Sequence, residues 1–357
     1  MSKFHLLFIL IVIPVLSFAQ DIDRLILNNE YDRALQLIDS SLSNNKNQPD
    51  LYLKKGTILQ RKFDYLGALF SLQKAYQLDS LNKTTISELA DVNSSLGNFR
   101  QALPYYQVLY EADTIQTVSA LRLARAYFNV KSYREPFGIL MSAYQRDSFN
   151  LYLTKQLAIA SMRTGRDSLA ISLFTKVIHQ NPSDFSNYSS LVQLYQKKEN
   201  YPRLVETLEE AIQFFPEETN LLVRLGDAHF AKRAYPKAME PYEKYLAGGV
   251  SEPDVLKNLG ISYYYEKRLK EGVDLLDKSL MLKPNDPVTG LFLGLCYKEL
   301  NEIEESIGYL NFAAKIAVPY YMSDIYNQLG NIYIQKKEYT SGLVLSSVLL
   351  FRSGSKP

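Results

Sequence analysis

Apolar and small side chains recur along this chain at a constant interval. Leu-Gly or Leu-Ala pairs with a Tyr three residues further on occur at Leu123, Leu259 and Leu293, and the last two pairs are 34 residues apart. Positions are counted from 1 to 34 in repeat units that start at residues 49, 83, 117 and so on. Within each unit the apolar side chains form two stripes with helical spacing, the first at positions 4, 7, 8 and 11 and the second at positions 20, 24 and 27. The pattern predicts a row of two-helix hairpins without strands.

Two columns of this repeat carry small residues. Position 8 is occupied by Gly226, Gly260 and Gly294 in three units, and position 20 by Ala238 and Gly272 in two of the same units. Small residues that face each other let paired helices approach more closely than bulky side chains allow. We therefore expect positions 8 and 20 to meet inside each hairpin.

The repeat also sets the predicted domain organisation. Units that start 34 residues apart cover residues 49–320 without an insertion, and a ninth unit starts after a slip of two residues. We predict a single solenoid over residues 20–357. It consists of a partial unit at 20–48 and full units at 49–82, 83–116, 117–150, 151–184, 185–218, 219–252, 253–286, 287–320 and 323–356.

The 34-residue pattern has Leu-Gly at positions 7 and 8, an aromatic residue at position 11, a small residue at position 20 and Pro at position 32. It resembles the tetratricopeptide repeat. The chain lacks the family's Trp at position 4, and position 11 is Asn93, Ser161 or His229 in three units. At that position His229 is interpreted as a packing residue. The resemblance implies an all-α, right-handed superhelical solenoid of about ten helix-turn-helix units, whose first helices line a concave face.

The first residues have the pattern of an export signal. Lys3 precedes an apolar stretch from Leu6 to Phe18, and small residues stand at Ser17 and Ala19. As a helix this stretch spans roughly 20 Å, less than the roughly 30 Å of a bilayer core, which argues against a membrane anchor. We predict a cleaved signal peptide over residues 1–19 and an exported protein, periplasmic or associated with the cell envelope.

Composition narrows the chemistry. Lys+Arg 40 against Asp+Glu 38 gives a net charge of +2 without a basic stripe, so a nucleic-acid partner is not expected. One cysteine excludes an intramolecular disulfide, and the three histidines do not cluster. The chain contains no phosphate-binding loop, nucleophile elbow or zinc motif. We predict no enzyme activity, no cofactor and no metal.

The resemblance also points to the residues that would bind a partner. In the family, positions 2, 5, 9 and 12 of the first helices line the concave groove. Ile159 and Ile261 stand at position 9, where some members carry the Asn of a carboxylate clamp, so a receptor for chaperone tails is not expected. The predicted groove residues are apolar, aromatic or cationic: Leu121, Arg125, Phe128, Tyr152, Lys155, Met162, Phe230, Tyr264, Leu291, Leu295 and Lys298.

The predicted function is a non-catalytic protein–protein interaction scaffold. It would hold a peptide or protein partner in the groove, in a bacterial cell-envelope assembly or secretion process. Two alternatives remain. The groove could bind glycans through Tyr152 and Tyr264, or it could bind nothing because neighbouring repeats fill it.

The last unit lacks a polar capping helix. A solenoid has to cover its terminal apolar face, and Val344, Leu345 and Phe351 are apolar residues of this unit. We predict a C-terminal interface formed by these three residues, to a partner or to a second copy of the chain. A frayed end is the alternative.

Overall fold

The computed structural model of the chain describes residues 21–113, 115–316 and 319–335, the side chains of 319–321 excepted. Over these ranges the regular elements are all α-helices, and no strand occurs. The predicted all-α helical-repeat fold is therefore confirmed. The chain divides into two compact units between Gln180 and Asn181. The predicted residues of the C-terminal interface, Val344, Leu345 and Phe351, lie outside the described residues.

The helices follow one another in pairs. The first unit contains α1 (21–27), α2 (Tyr31–Asn44), α3 (Pro49–Arg61), α4 (Tyr65–Leu78), α5 (Lys83–Ser95), α6 (Phe99–Ala112), α7 (Thr117–Asn129), α8 (Arg134–Arg146), α9 (Leu151–Arg163) and α10 (Asp167–Gln180). The second unit contains α11 (Phe185–Lys197), α12 (Tyr201–Phe214), α13 (Asn220–Ala231), α14 (Tyr235–Ala247), α15 (Pro253–Tyr265), α16 (Leu269–Leu282), α17 (Pro287–Glu299), α18 (Ile303–Ile316) and α19 (Pro319–Gln335).

Local sequence explains where the first helices start. Pro253 and Pro287 begin α15 and α17, and a proline costs nothing in the first turn, where its missing N–H has no intrahelical partner. Other starts carry a capping side chain. The Asn82 side chain accepts a hydrogen bond from the backbone N–H of Thr85 at 3.0 Å, and Asn150 does the same for Leu153.

The turn inside each hairpin has one conformation throughout the described chain. The residue at position 15 has a positive φ every 34 residues from Asn29 to Asn301. The following N–H reaches back to the carbonyl at position 11, as from Asp64 to Leu59 at 2.9 Å, which is a Schellman-type helix end. Gly97 adopts this conformation without strain, whereas the Phe63 side chain is held there 79% exposed.

Positions 8 and 20 meet as predicted. A Cβ atom on Gly260 would lie 3.1 Å from the carbonyl oxygen of Gly272, and a Cβ on Gly272 would lie 3.1 Å from that of Gly260. The side chain at position 24 closes the gap, because the same Cβ on Gly260 would lie 2.7 Å from Leu276 Cγ. In α17 and α18 the Ser306 hydroxyl donates to the carbonyl of Gly294 at 2.7 Å. The paired helices therefore touch backbone to backbone.

Each of the two compact units, residues 21–180 and 181–335, has two distinct faces. In the first unit α7 contacts α9, and in the second unit α13, α15, α17 and α19 contact one another in sequence. Consecutive second helices show no comparable contact within either described unit. The first helices thus form the inner face of each unit, and the second helices form its outer face. None of the described helices has the length and hydrophobicity needed to cross a membrane.

The close approach in the last described hairpins makes a testable prediction. Gly294→Ala places a Cβ about 2.6 Å from Leu310 Cγ, so the helices have to separate. We expect the free energy of unfolding to fall by about 1–3 kcal/mol, measured by urea denaturation followed by circular dichroism.

The control is Gly308→Ala in α18. No atom lies within 4 Å of a Cβ built on Gly308, so only the gain in helix propensity remains. This variant should be more stable than the parent chain by about 0.5–1 kcal/mol. Equal effects of the two substitutions would contradict close helix approach at position 8.

Candidate functional site on the first helices

In the first compact unit (residues 21–180), the predicted groove residues lie on α7 and α9. Leu121, Arg125 and Phe128 are spaced by four and three residues, so they share one stripe of α7. Leu121 and Phe128 are half-buried, whereas Arg125 is exposed. The ring of Phe128 packs against Tyr133, with the ring centroids 5.9 Å apart. This stripe combines an exposed cation with apolar surface on both sides.

The second stripe of the first unit lies on α9. The Tyr152 side chain is 55% exposed, which makes it the most accessible of the predicted aromatic residues. Lys155 and Met162 on the same helix are half-buried. Tyr152 therefore offers a ring surface that the fold itself does not use.

Arg125 opens onto a polar cleft between α5 and α7. The cleft has a volume of about 290 Å³, and its lining includes Asp91, Ser94, Tyr106 and Arg122. Within the described residues Arg125 makes no hydrogen bond and no ion pair, although Asp91 lines the same cleft. The guanidinium is therefore available to an acceptor on a ligand.

The neighbouring charges are already engaged with each other. The Tyr106 hydroxyl donates to Asp91 Oδ1 at 2.7 Å, and Arg122 Nη2 lies 3.5 Å from Asp91 Oδ2. Arg122 also donates to Ser87 Oγ at 2.9 Å. Burial, followed by the hydrogen bond to Asp91, raises the pKa of Tyr106 well above its usual range, so this phenol stays protonated. The network engages Arg122, whereas Arg125 has no such partner in the part of the chain that the structure describes.

A second cleft of about 350 Å³ adjoins the first and shares Tyr106 and Arg122 with it. Its lining includes Lys83, Gln116 and the exposed side chain of Val118. Three cations and several apolar side chains thus line two adjoining clefts on the inner face.

Sequence reasoning missed the network around Asp91, which recurs in the second unit. There the Tyr242 hydroxyl donates to Asp227 Oδ1 at 2.7 Å, and Asn258 Nδ2 approaches the same oxygen at 3.3 Å. Both networks join Asp at position 9, Tyr at position 24 and a polar residue at position 6 of the next unit. The signal was present, because these units combine Asp at position 9 with Tyr at position 24.

The second unit brings its predicted aromatic residues into a continuous cluster. Phe230 packs edge-to-face on Tyr235 at 5.6 Å, and Tyr235 stacks on Tyr265 at 4.1 Å. Tyr264 contacts both Tyr265 and Phe292 edge-to-face. The Tyr264 ring is further covered by the ammonium group of a lysine, Lys267, at 5.6 Å. Tyr264 is therefore largely committed to packing inside the protein.

The three predicted residues of α17 have different environments. Leu291 is only 8% exposed and belongs to an apolar cluster with Ile325 and Leu329 of α19, and the half-buried Leu295 packs against that cluster. Leu291 is therefore a core residue, which corrects its assignment to an open groove. Lys298 Nζ donates to Gln328 Oε1 at 2.9 Å, so this cation is partly engaged.

Cys296 is buried, and burial raises the pKa of its thiol to about 12, so the thiol stays protonated at neutral pH. In the part of the chain that the structure describes, no three His, Cys, Asp or Glu side chains are placed to hold a metal ion.

Similar proteins share the repeat. A sequence model of the tetratricopeptide repeat matches residues 190–254. The BBSome complex member BBS4 homolog of Drosophila melanogaster is 23% identical over 197 residues, which is 55% of this chain and 36% of that protein. The chain thus spans about a third of the length of this curated relative.

Solved structures give the same kind of match. One is YrrB, described as a TPR protein with an unusual peptide-binding site (19% identity, 52% of this chain and 95% of YrrB, TM-score 0.46). A tetratricopeptide repeat protein from Parabacteroides merdae covers 69% of this chain and 97% of its own length at 17% identity, with a TM-score of 0.46. MamA matches 46% of this chain and 90% of its own length at 18% identity, with a TM-score of 0.43.

Helical hairpins with a 34-residue period, small residues at positions 8 and 20 and one shared turn define an all-α helical-repeat protein. The match of the repeat model to residues 190–254 names the repeat. Residues 190–254 match the tetratricopeptide repeat, and the fold of this repeat suggests a protein–protein interaction scaffold.

The Asp227 network predicts a specific response to alkaline pH. Burial, with the nearby charge of Asp227, raises the pKa of Tyr242 far above the value of about 10 in an unfolded chain. Above about pH 10 the unfolded chain therefore loses this proton first, and stability falls as the pH rises. Tyr242→Phe should reduce this loss between about pH 9 and 12 in urea denaturation.

At pH 7 the same variant should be less stable by about 0.5–1.5 kcal/mol, because one hydrogen bond is missing. Tyr152→Phe, which changes an exposed ring, is the control and should alter neither quantity. An unchanged alkaline slope in Tyr242→Phe would contradict a proton held by Asp227.

Proposed function

We propose that the chain is a non-catalytic scaffold that binds an extended peptide segment of a protein partner along the first helices of its first unit. The observation that carries this proposal is Arg125, an exposed guanidinium that lies beside a polar cleft and has no hydrogen-bond or ion-pair partner among the described residues. Leu121, Phe128 and Tyr152 offer apolar surface on the same two helices. An acidic group of the ligand would pair with Arg125.

The two kinds of contact contribute differently. An exposed ion pair contributes roughly 0–1 kcal/mol, so Arg125 alone gives little affinity. A bidentate contact with a carboxylate in a partly desolvated cleft contributes more, about 1.5–3 kcal/mol. Removal of apolar surface from water at Tyr152 and Phe128 supplies the remaining affinity. Arg125 therefore selects the position of an acidic residue along the peptide.

The glycan alternative has less support. Stacking on a sugar requires an accessible flat ring face, and the Tyr264 ring already contacts Tyr265, Phe292 and Lys267. Tyr152 alone retains an open face among the two tyrosines considered. Because only one of these two tyrosines keeps an open ring face, the structure favours peptide binding over glycan binding.

The remaining parts of the proposal concern location and assembly. We place the protein outside the cytoplasm, in the periplasm or at the cell envelope, on the pattern of residues 1–19. The C-terminal interface at Val344, Leu345 and Phe351 is proposed as a contact to a partner or to a second copy. The Drosophila relative is named as a member of a multiprotein complex. A similar role for this chain would agree with a scaffold that acts in assembly or secretion.

Charge reversal at Arg125 tests the peptide site. We expect Arg125→Glu to lower capture of acidic peptides at least tenfold, because an attractive contact becomes repulsive. A peptide array that contains each acidic peptide and its amide-substituted counterpart would measure the change. The amide counterparts should show a weaker dependence on residue 125.

Arg134→Glu is the matched control, since it makes the same charge change at an exposed position on a second helix, α8. It should leave capture within twofold of the parent chain. If both variants lose binding equally, net charge explains the effect and the site at Arg125 is wrong. A glycan array run in parallel should give no signal that depends on Tyr152.

The export proposal has its own test. The full-length chain expressed in a Gram-negative host should be found in the periplasmic fraction with a new amino terminus at Gln20. Replacement of Leu10 by Arg interrupts the apolar stretch and should leave the unprocessed chain in the cytoplasm. An intact Met1 on protein from the parent sequence would contradict a cleaved signal.

A further inference from the structure

Within each compact unit, a first helix lies between consecutive second helices and forms the floor of the groove between them on the outer face. In several hairpins a tyrosine of this chain fills the groove and bonds to position 25 of the preceding unit. The Tyr263 hydroxyl donates to Glu243 Oε1 at 2.6 Å, and Tyr127 OH accepts from Gln107 Nε2 at 2.8 Å. Tyr263 and Tyr127 both occupy position 11.

A phenol can also come from position 23. The Tyr309 hydroxyl donates to Asp277 Oδ1 at 3.1 Å, and its ring stacks on Tyr297 at 5.4 Å. Asp277 again stands at position 25 of the preceding unit. The fold thus has a recurrent arrangement in which a phenol lies in the outer groove and its hydroxyl meets a polar group at position 25.

One hairpin lacks this filling. Its position 11 is His229 and its position 23 is Pro241, whereas every other full hairpin between residues 49 and 320 has a phenol or a branched aliphatic side chain at one of these positions. Position 25 of the preceding unit is Glu209, the counterpart of Glu243. The receiving carboxylate is therefore present without the tyrosine that would bond to it.

The groove at this place is an open cleft of about 740 Å³. Leu222, Leu225 and His229 of α13 form part of its floor, Ile212 and Glu209 of α12 line one wall, and Pro241 of α14 lines the other. No hydrogen bond joins His229 to Glu209 among the described residues. Burial lowers the pKa of His229, so the imidazole is neutral at pH 7, although the nearby charge of Glu209 opposes this shift.

We propose that this cleft binds the phenol side chain of a tyrosine from a protein partner, with the ring on Leu222 and Leu225 and the hydroxyl donating to Glu209. The chemistry follows from the sister grooves, where this chain's own tyrosines take the same position. A phenylalanine ring in the same place would cover the Glu209 carboxylate without giving it a hydrogen-bond donor, which is unfavourable. The site lies in the groove between the second helices α12 and α14, with α13 as its floor, and is independent of the peptide site at Arg125.

The probes are N-acetyltyrosinamide and N-acetylphenylalaninamide, titrated into the full mature chain at millimolar concentrations. NMR shifts of the His229 ring and the Leu222 methyl groups report occupancy of the cleft. We expect the tyrosine probe to bind several-fold more tightly than the phenylalanine probe. Equal affinity, or no shift at either residue, would overturn the proposal.

Two substitutions in the cleft sharpen the test. His229→Tyr restores the residue found in the sister grooves, so the chain should fill its own cleft, melt at a higher temperature and lose at least tenfold in affinity for the probe. Glu209→Leu should abolish the preference for tyrosine over phenylalanine while the ring still binds. His179→Tyr, at an exposed position on α10, is the control and should change neither binding nor melting temperature.

A third variant tests the same idea in the adjacent groove and does not depend on the first cleft. Tyr263→Ala removes the phenol that bonds to Glu243, and the tyrosine probe should then bind there and raise the melting temperature of this variant. The phenylalanine probe should raise it less. If Tyr263→Ala gains no affinity for the tyrosine probe, the grooves do not recognise phenols and the inference is wrong.

Discussion

The backbone contact between positions 8 and 20 is the constraint on which the other features of this protein depend. At Gly260 and Gly272 the two helices are close enough that either added Cβ would meet the other's carbonyl oxygen at 3.1 Å. Because the two helices are this close, the side chain at position 24 lies directly over the glycine, as Leu276 does over Gly260. The hairpins with glycine at position 8 therefore have closely packed helices, and the stacking of hairpins along the chain follows from this shared geometry.

The repeated turn supports the same geometry. Because the position 15 residue is left-handed in every described hairpin, the second helix leaves the first in the same direction each time. First helices then face one side and second helices the other, so residues 34 apart become neighbours on a face. Asp91 and Arg125 line one cleft for this reason, and so do Glu209 and Lys244, which are 35 apart.

The sequence predicts those features that repeat, because periodic side chains report a shared backbone geometry. The period, the meeting of positions 8 and 20 and the all-α fold could be predicted this way. The environment of one residue could not. Leu291 stands at a groove position by its number in the repeat, but α19 packs Ile325 and Leu329 against it and buries it. Likewise, pairing of Arg122 with Asp91 leaves Arg125 unpaired, which depends on side-chain distances that the repeat does not determine.

His229 shows most directly how far a repeat position determines a role. Position 11 predicts a packing role, but the His229 ring is only half-buried and forms part of the floor of an open cleft. What matters for binding is the residue it replaces, together with its partners at positions 23 and 25. Because His229 is smaller than tyrosine and position 23 is a proline, the groove stays open as a cleft. The glutamate at position 25 of the preceding repeat gives this cleft a hydrogen-bond acceptor. In a repeat protein a departure from the column is therefore informative only when the columns that share its groove are considered with it.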